Sequence, residues 1–294
     1  MSDSIPRHAP IRRVVIVAKL GPPEGRRLAA QTGEWLAQQG IEVTYETNTA
    51  SAIGRTNGVA RNELPADTDL AVVAGGDGTL LSVARTAGPL GIPMLGVNLG
   101  SLGFLTELQP NEIFEGLQAV LDGRYTVEER QTLRVRPYRE GKPQQEYALL
   151  NDAVIAKSAL ARMISIDVRV DDDPVATYTS DGLIVATPTG STAYNLSAGG
   201  PILDPRVGAF VISPICPHSM TYRPLVVPSS VTVEVILRSD GEAVYLTLDG
   251  QIGFPMEVDD SLVVDAHPNP VRLVRIADRS FFEVLRRKLR WGER

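Results

Sequence analysis

The hydrophobic period of the chain changes near Glu128, and this limits the fold more than any other feature. Before that point, short apolar runs alternate with amphipathic stretches. Val14–Ala18, Ile41–Tyr45, Leu70–Ala74 and Pro93–Val97 read as strands. Helices are expected from about Glu24 to Gln39, from Thr79 to Ala87 and from Asn111 to Leu121. Runs such as Leu70–Ala74, apolar at every position, suit strands covered on both faces, and the βα alternation implies a mostly parallel sheet. From Thr132 onward the pattern is short strands with turn clusters between them. The runs are Thr132–Pro137, Tyr147–Ala156, Ile164–Val170, Leu183–Thr187, Val231–Leu237 and Val244–Leu248. This is the grammar of a β-meander or sandwich. The acidic triplet Asp171–Asp173, before a proline, is expected to be a solvated turn.

The expected fold is therefore α/β with a Rossmann-like sheet over residues 1–128, then an all-β, sandwich-like domain over 129–272. Residues 273–294 form a closing segment. Within it, Phe281, Phe282, Leu285 and Leu289 share a helical stripe, so Ser280–Trp291 is expected to be a helix that packs back on the N-terminal domain.

Composition narrows the function. A net charge of −6 argues against a protein that wraps nucleic acid. The one cysteine, Cys216, cannot form an internal disulfide, which fits a reducing cytoplasm. Three histidines, His8, His218 and His267, are too few and too scattered for a dedicated zinc site. No apolar run approaches a membrane span, and the first residues lack a signal-peptide core. No membrane partner is expected.

Glycine supplies the leads. Gly75-Gly76-Asp77-Gly78-Thr79 follows a buried strand and precedes a helix. Open α/β sheets place ligands at that edge, and the helix start offers N–H groups to phosphate. Gly75, Gly76, Gly78 and Thr79 are thus a candidate phosphate loop. Asp77 would repel phosphate unless it has another task, such as accepting a proton from a hydroxyl or holding Mg²⁺. Neither a P-loop nor a G-x-G-x-x-G motif is present. A second cluster, Gly96 to Phe104, follows the next strand and offers Asn98 and Phe104. A third runs from Thr187 to Pro201, with the hydroxyls of Thr187, Thr189, Ser191, Thr192 and Ser197 and the ring of Tyr194. These suit a flat polar ligand. Asn151-Asp152 interrupts an apolar strand, where two polar groups need a partner such as the vicinal hydroxyls of a ribose.

Together the segments GGDGT, GVNLGSLGF, LLNDAVI, TSDGLIVATPTGSTAYNLSAGGPI and ICPHSMTYRPLVVP stand in the order seen in bacterial NAD kinases. The chain resembles that family from about Arg13 to Gly292. GGDGT alone is shared with lipid kinases and phosphofructokinases. The GSTAYNLSAGGP segment after its strand is the distinguishing part.

The resemblance implies a transfer of the γ-phosphate of ATP to the 2′-hydroxyl of the adenosine ribose of NAD. It makes Asp77 the catalytic base, with Gly78 giving backbone room. Asn151 and Asp152 would contact NAD hydroxyls and amides. The segment Thr192, Ala193, Tyr194, Asn195, Leu196 and Ser197 would hold the dinucleotide. Asp181 would face the nicotinamide side, and Asn98 and Phe104 the adenine side. Arg162, Thr179 and Gln251 match positions used near the nucleotide. Mg²⁺ is expected to arrive with ATP, with no metal site from the protein and no tightly bound organic cofactor. A homodimer or homotetramer through the β domain is implied, with the segment near Ile215–His218 reaching a neighbouring subunit. Two departures stand out: Asp152 where many relatives carry Glu, and Thr179 where some carry a long basic residue.

Two other readings share the loop. One is a lipid or sugar kinase, of which a lipid kinase would need an apolar acyl channel and a membrane-facing patch. The other is a non-enzymatic nucleotide-sensing module, which would gain nothing from a carboxylate at position 77.

Overall fold

The computed structural model describes residues 9–21, 23–100, 103–158, 162–240, 243–276 and 280–291. The chain divides into two compact units, Met1–Glu129 with Val271–Arg294, and Arg130–Pro270.

The first unit opens with strand β1 (Arg13–Ala18), helix α1 (Pro23–Gln38), β2 (Glu42–Glu46), the short helix α2 (Thr47–Ala52) and β3 (Gly58–Val59). Strand β4 (Leu70–Gly75), α3 (Asp77–Ala87), β5 (Met94–Asn98), α4 (Ile113–Leu121) and β6 (Thr126–Arg130) follow. Every residue of β4 and β5 is buried. Val14, Ile16, Ala18, Leu70, Val72 and Ala74 share one core with Leu28 and Leu36 of α1 and Ile113 and Leu117 of α4. Helix α3 packs on β4 and β5. This is why these strands are apolar at every position rather than at alternate ones.

The second unit carries β7 (Leu133–Arg139), β8 (Lys142–Pro143), β9 (Tyr147–Leu149), β10 (Asp152–Lys157), β11 (Ile164–Val170), β12 (Asp173–Ser180) and β13 (Gly182–Ala186). Helix α5 (Tyr194–Ser197), β14 (Ala209–Ile215), β15 (Leu225–Pro228), β16 (Val233–Leu237), β17 (Val244–Leu248), β18 (Ile252–Met256) and β19 (Ser261–Ala266) complete it. Strands pair in the orders β15-β14-β13-β10-β17-β18 and β12-β11-β16-β19-β7-β8, with β9 on β7. One core joins Val135, Ile166, Val235 and Val264 of the second sheet to Ile155, Val185, Ile212 and Leu246 of the first.

The expected single strand Tyr147–Ala156 is two strands in different sheets. Strand β9 pairs with β7, and β10 pairs with β13 and β17. The chain changes sheets at Leu150-Asn151, so the polar pair marks a crossover rather than an interruption. Asp173, expected in a turn, is the first residue of β12.

The chain then returns to the first unit. Strand β20 (Val271–Arg275) pairs in parallel with β5 and completes the order β3-β2-β1-β4-β5-β20-β6. The expected closing segment thus contributes a strand as well as a helix. Helix α6 (Phe281–Leu289) starts at Ser280, whose hydroxyl accepts the Glu283 N–H at 3.2 Å. Leu285 is buried, and the Phe281 ring faces that of Phe104, with centroids 6.4 Å apart. Phe282 departs from the expected stripe and is 54% exposed. The buried line follows Phe281 and Leu285, four residues apart, and Phe282 falls off it.

Candidate functional site

In the first unit, the chain leaves β4 through Gly75 and Gly76 and enters α3 at Asp77. Gly76 caps the helix in an extended conformation. The half-buried Asp77 carboxylate accepts the Phe104 N–H at 2.9 Å and the Leu105 N–H at 3.1 Å, one on each oxygen. Two glycines make room. A Cβ on Gly103 would lie 2.1 Å from Asp77 Oδ1, and one on Gly75 would lie 2.4 Å from Thr79 Oγ1. Gly78 is exposed. The Thr79 N–H donates to Gly76 O at 3.0 Å, inside the turn.

Asn98 stands beside Gly75 in the β4–β5 register. It is buried, and its amide both donates to Gly100 O and accepts from Gly100 N, each at 3.1 Å. Its visible role is to shape its own loop. Phe104 carries the C-terminal helix, with Lys288 Nζ 5.7 Å from the ring centroid. The arrangement fixes one carboxylate at the start of a helix, where it can take a proton from a bound hydroxyl.

In the second unit, Asn151 and Asp152 lie at the crossover, gripped from two sides. The Asp249 carboxylate accepts N–H bonds from Leu150 (3.2 Å), Asn151 (2.7 Å) and Asp152 (3.2 Å). Thr187 Oγ1 donates to Leu150 O at 2.6 Å, and Thr187 N donates to Asn151 O at 2.9 Å. Asp249 N donates to Asp152 O at 2.9 Å. Gly190 packs so closely that a Cβ there would lie 2.0 Å from Asn151 O. Asp152 is 4% exposed, and its pKa is pushed up to about 7 by burial and by the negative charge of Asp249.

The hydroxyl-rich loop corrects an expectation. Thr187, Thr189 and Ser191 are buried, and their hydroxyls are spent on the protein. Thr187 Oγ1 accepts the Gly190 N–H at 2.9 Å, and Ser191 Oγ donates to Pro188 O at 2.6 Å while accepting the Leu203 N–H at 2.9 Å. Thr189 Oγ1 accepts from the buried Arg130 at 3.4 Å. Thr192 Oγ1 donates to Thr189 O at 3.1 Å. Asn195 is fully buried, donating to Ser191 O and Pro201 O and accepting from Ser213 Oγ. Its side chain braces the loop and cannot line a cleft. Tyr194 and Ser197 are exposed, and Ala193 and Leu196 are partly so.

The remaining candidates split into two groups. Gln251 is exposed, just after Asp249-Gly250, at the end of the unit that holds Asn151. Thr179 and Asp181 lie at the other end of β13, and Arg162 precedes β11, whose Ile164 lies opposite Ser180. Asp181 N donates to Ile215 O at 2.9 Å, and its carboxylate lies 3.5 Å from Lys157 Nζ. His218 N donates to Thr179 O at 2.9 Å. The five residues of β13 separate the groups by about 17 Å.

Asp249 is the residue at this crossover that sequence reasoning misses. Its local signal is an Asp-Gly pair between two apolar strands, the mark of a hairpin turn. Both residues indeed have positive φ, 50° and 64°. Nothing local shows that this carboxylate reaches a segment almost a hundred residues earlier.

Comparison with known proteins decides the family. The ATP-NAD kinase N-terminal domain profile matches residues 14–125, and the C-terminal domain profile matches residues 150–276. The chain belongs to the ATP-NAD kinase family. It is 46% identical over 285 residues to an NAD kinase of Koribacter versatilis, covering 97% of this chain and 100% of that one. It is 45% identical over 284 residues to an NAD kinase of Geobacter sulfurreducens, covering 97% and 100%. Among solved structures, the fold is similar to yeast NADH kinase complexed with NADH, with a TM-score of 0.86 and 27% identity, covering 97% of this chain and 89% of that one. It is also similar to an NAD kinase from Archaeoglobus fulgidus in complex with ATP, with a TM-score of 0.70 and 26% identity, covering 95% and 99%. Family membership rests on both halves of the chain.

Proposed function

We infer that the chain is an NAD kinase, transferring the γ-phosphate of ATP to the 2′-hydroxyl of the adenosine ribose of NAD to give NADP and ADP. The observation that carries this reading is the Asp77 carboxylate, held by two amides at the C-terminal edge of a parallel sheet in a chain of this family. Asp77 takes the proton of the 2′-hydroxyl. The oxygen attacks the γ-phosphorus, and the bond to the β–γ bridging oxygen breaks as ADP leaves. Positioning and charge neutralisation carry most of the rate in such transfers. Gly75, Gly76, Gly78 and Thr79 form the turn that lets phosphate approach.

Asn151 and Asp152 bind NAD hydroxyls and amides at one end of β13. Tyr194, Ser197 and Gln251 belong to the same end, while Arg162, Thr179 and Asp181 serve the nicotinamide side at the other. The separation along β13 suits an extended two-nucleotide ligand. Among the described residues, no group of three or more His, Cys, Asp or Glu is placed to hold a metal. A divalent cation carried on the ATP phosphates would neutralise charge as the substrate arrives.

The proposal extends to a cytoplasmic homodimer or homotetramer. In support, Met220, Leu225 and Val226 are exposed on and near β15, the edge strand of its sheet. Among the described residues, no helix is long and apolar enough to cross a membrane. The decisive experiment is one incubation of pure protein with NAD, ATP and Mg²⁺, read with an NADP-specific dehydrogenase. NADP should accumulate with protein and time. Its absence at every protein concentration overturns the reading.

A further inference from the structure

Asp249 gathers three consecutive backbone amides, and that pattern is incompatible with an ordinary strand. Successive N–H groups in a strand point to opposite edges. Three of them converging on one carboxylate turn the backbone at Leu150 and Asn151 out of strand geometry just before Asp152 opens β10. The carbonyls of the same three residues are also accounted for, by Thr187 Oγ1, Thr187 N and Asp249 N. The side chains of Asn151 and Asp152 are not needed to hold the segment. Among the described residues neither side chain makes a hydrogen bond; Asn151 is partly exposed and Asp152 is 4% exposed.

We propose that Asp249 is a positioning residue for dinucleotide binding, whose carboxylate sets the direction of the Asn151 and Asp152 side chains. This rests on the reading of that pair as NAD contacts. Asp249 is 5% exposed, on a hairpin turn whose two central residues both have positive φ, so its own position is fixed by the β17–β18 pairing. The turn and the crossover lock reciprocally, since Asp249 N donates back to Asp152 O. Asp249 also supplies the charge that, with burial, raises Asp152 toward neutrality. Asp152 lies opposite Ala186 of β13, and the neighbouring Ala153 lies opposite Leu248 of β17, so those strands bring no ionisable group to these positions. Asp249 therefore governs both the aim and the protonation of the carboxyl that meets the substrate.

The test is Asp249→Asn beside Asn151→Ala, in the full-length protein, with KM for NAD and for ATP measured separately. Asp249→Asn should raise KM for NAD about tenfold, the scale of a lost charge-assisted hydrogen bond, and leave KM for ATP within about twofold. The pH profile of KM for NAD should also move to lower pH, because the charge that raises Asp152 is gone. A merely structural role would not move that profile. Should Asp249→Asn not fold, Gly250→Ala strains the same turn at φ 64° without touching any neighbour within 4 Å, and the same split should appear at about threefold. If Asn151→Ala raises KM for NAD while Asp249→Asn and Gly250→Ala leave it and its pH profile unchanged, the positioning role is overturned and the NAD reading stands. If Asn151→Ala has no effect on KM for NAD, the reading of the pair as substrate contacts fails first.

Discussion

Asp77 in the first unit and Asp152 in the second both sit at the ends of buried strands, yet their surroundings differ. Asp77 is half-buried at a helix start, and both its oxygens are held by amides of a neighbouring loop. Asp152 is nearly inaccessible, makes no hydrogen bond from its carboxyl among the described residues, and faces the charge of Asp249. The two amide donors fix the orientation of the Asp77 carboxylate. Burial beside a second carboxylate favours the neutral acid. On the proposed reading, Asp77 removes the proton and Asp152 serves recognition.

The largest effect that could break this assignment is at Asp77. Asp77→Asn keeps the shape and the amide contacts of one oxygen but removes the base. We expect kcat to fall about 10²–10⁴-fold, the usual contribution of general-base catalysis, with KM for NAD changed little. Steady-state kinetics checks it. A kcat close to that of the parent would remove Asp77 from the chemistry.

Two glycines sharpen the comparison, because each abuts one of the two sites in a different way. At Gly190 a Cβ would meet the backbone of Asn151, with O at 2.0 Å and C at 2.5 Å. Backbone gives way poorly, so Gly190→Ala should cost about 1–3 kcal/mol of stability, read as a lower thermal midpoint. An unchanged midpoint would mean that the crossover is loose. At Gly103 the clash is with the end of the Asp77 side chain, at 2.1 Å. The side chain can rotate away, so stability should change little. The base would then be misplaced, and kcat should fall about tenfold. Equal effects of the two substitutions on stability would erase the distinction between a packed recognition segment and an adjustable catalytic one.

Much of the molecule is readable from the sequence, and the remainder has a common cause. The strands β1, β4 and β5 and the loop at Asp77 announce themselves through runs of apolar residues and a glycine cluster, all within ten or so neighbours. Strand β20 does not. Its partner β5 lies far upstream, and its five residues follow a β-rich region whose rhythm they continue. The change of sheet at Leu150-Asn151 is hidden for the same reason, since apolar residues flank it on both sides. The hydroxyls of Thr187 and Ser191 resemble ligand contacts because composition counts polar groups without showing which backbone atoms they satisfy. Asn195 misleads in the same way, its partners Ser191, Pro201 and Ser213 consuming the whole amide. Asp249 reads locally as a turn, and only tertiary structure gives it three amides.

The smallest expected effect is the most discriminating, because its sign is opposite to that of an ordinary core substitution. The folded pKa of Asp152, about 7, stands above its usual value of 3.8. A carboxyl raised in this way contributes its full share of stability below the unfolded value. That share is lost as pH rises through the folded value, since ionising it in place is unfavourable. A rise of this size corresponds to a ceiling of about 4 kcal/mol, and relaxation around the site leaves a smaller net amount. Asp152→Asn is neutral at every pH. It should therefore be more stable than the parent at pH 8, by about 1 kcal/mol, and the difference should shrink toward zero near pH 4. Thermal melts at both pH values decide it. A parent protein more stable than the variant at pH 8 would mean that Asp152 is held as a stabilised carboxylate, and the division of labour between the two acids would have to be reversed.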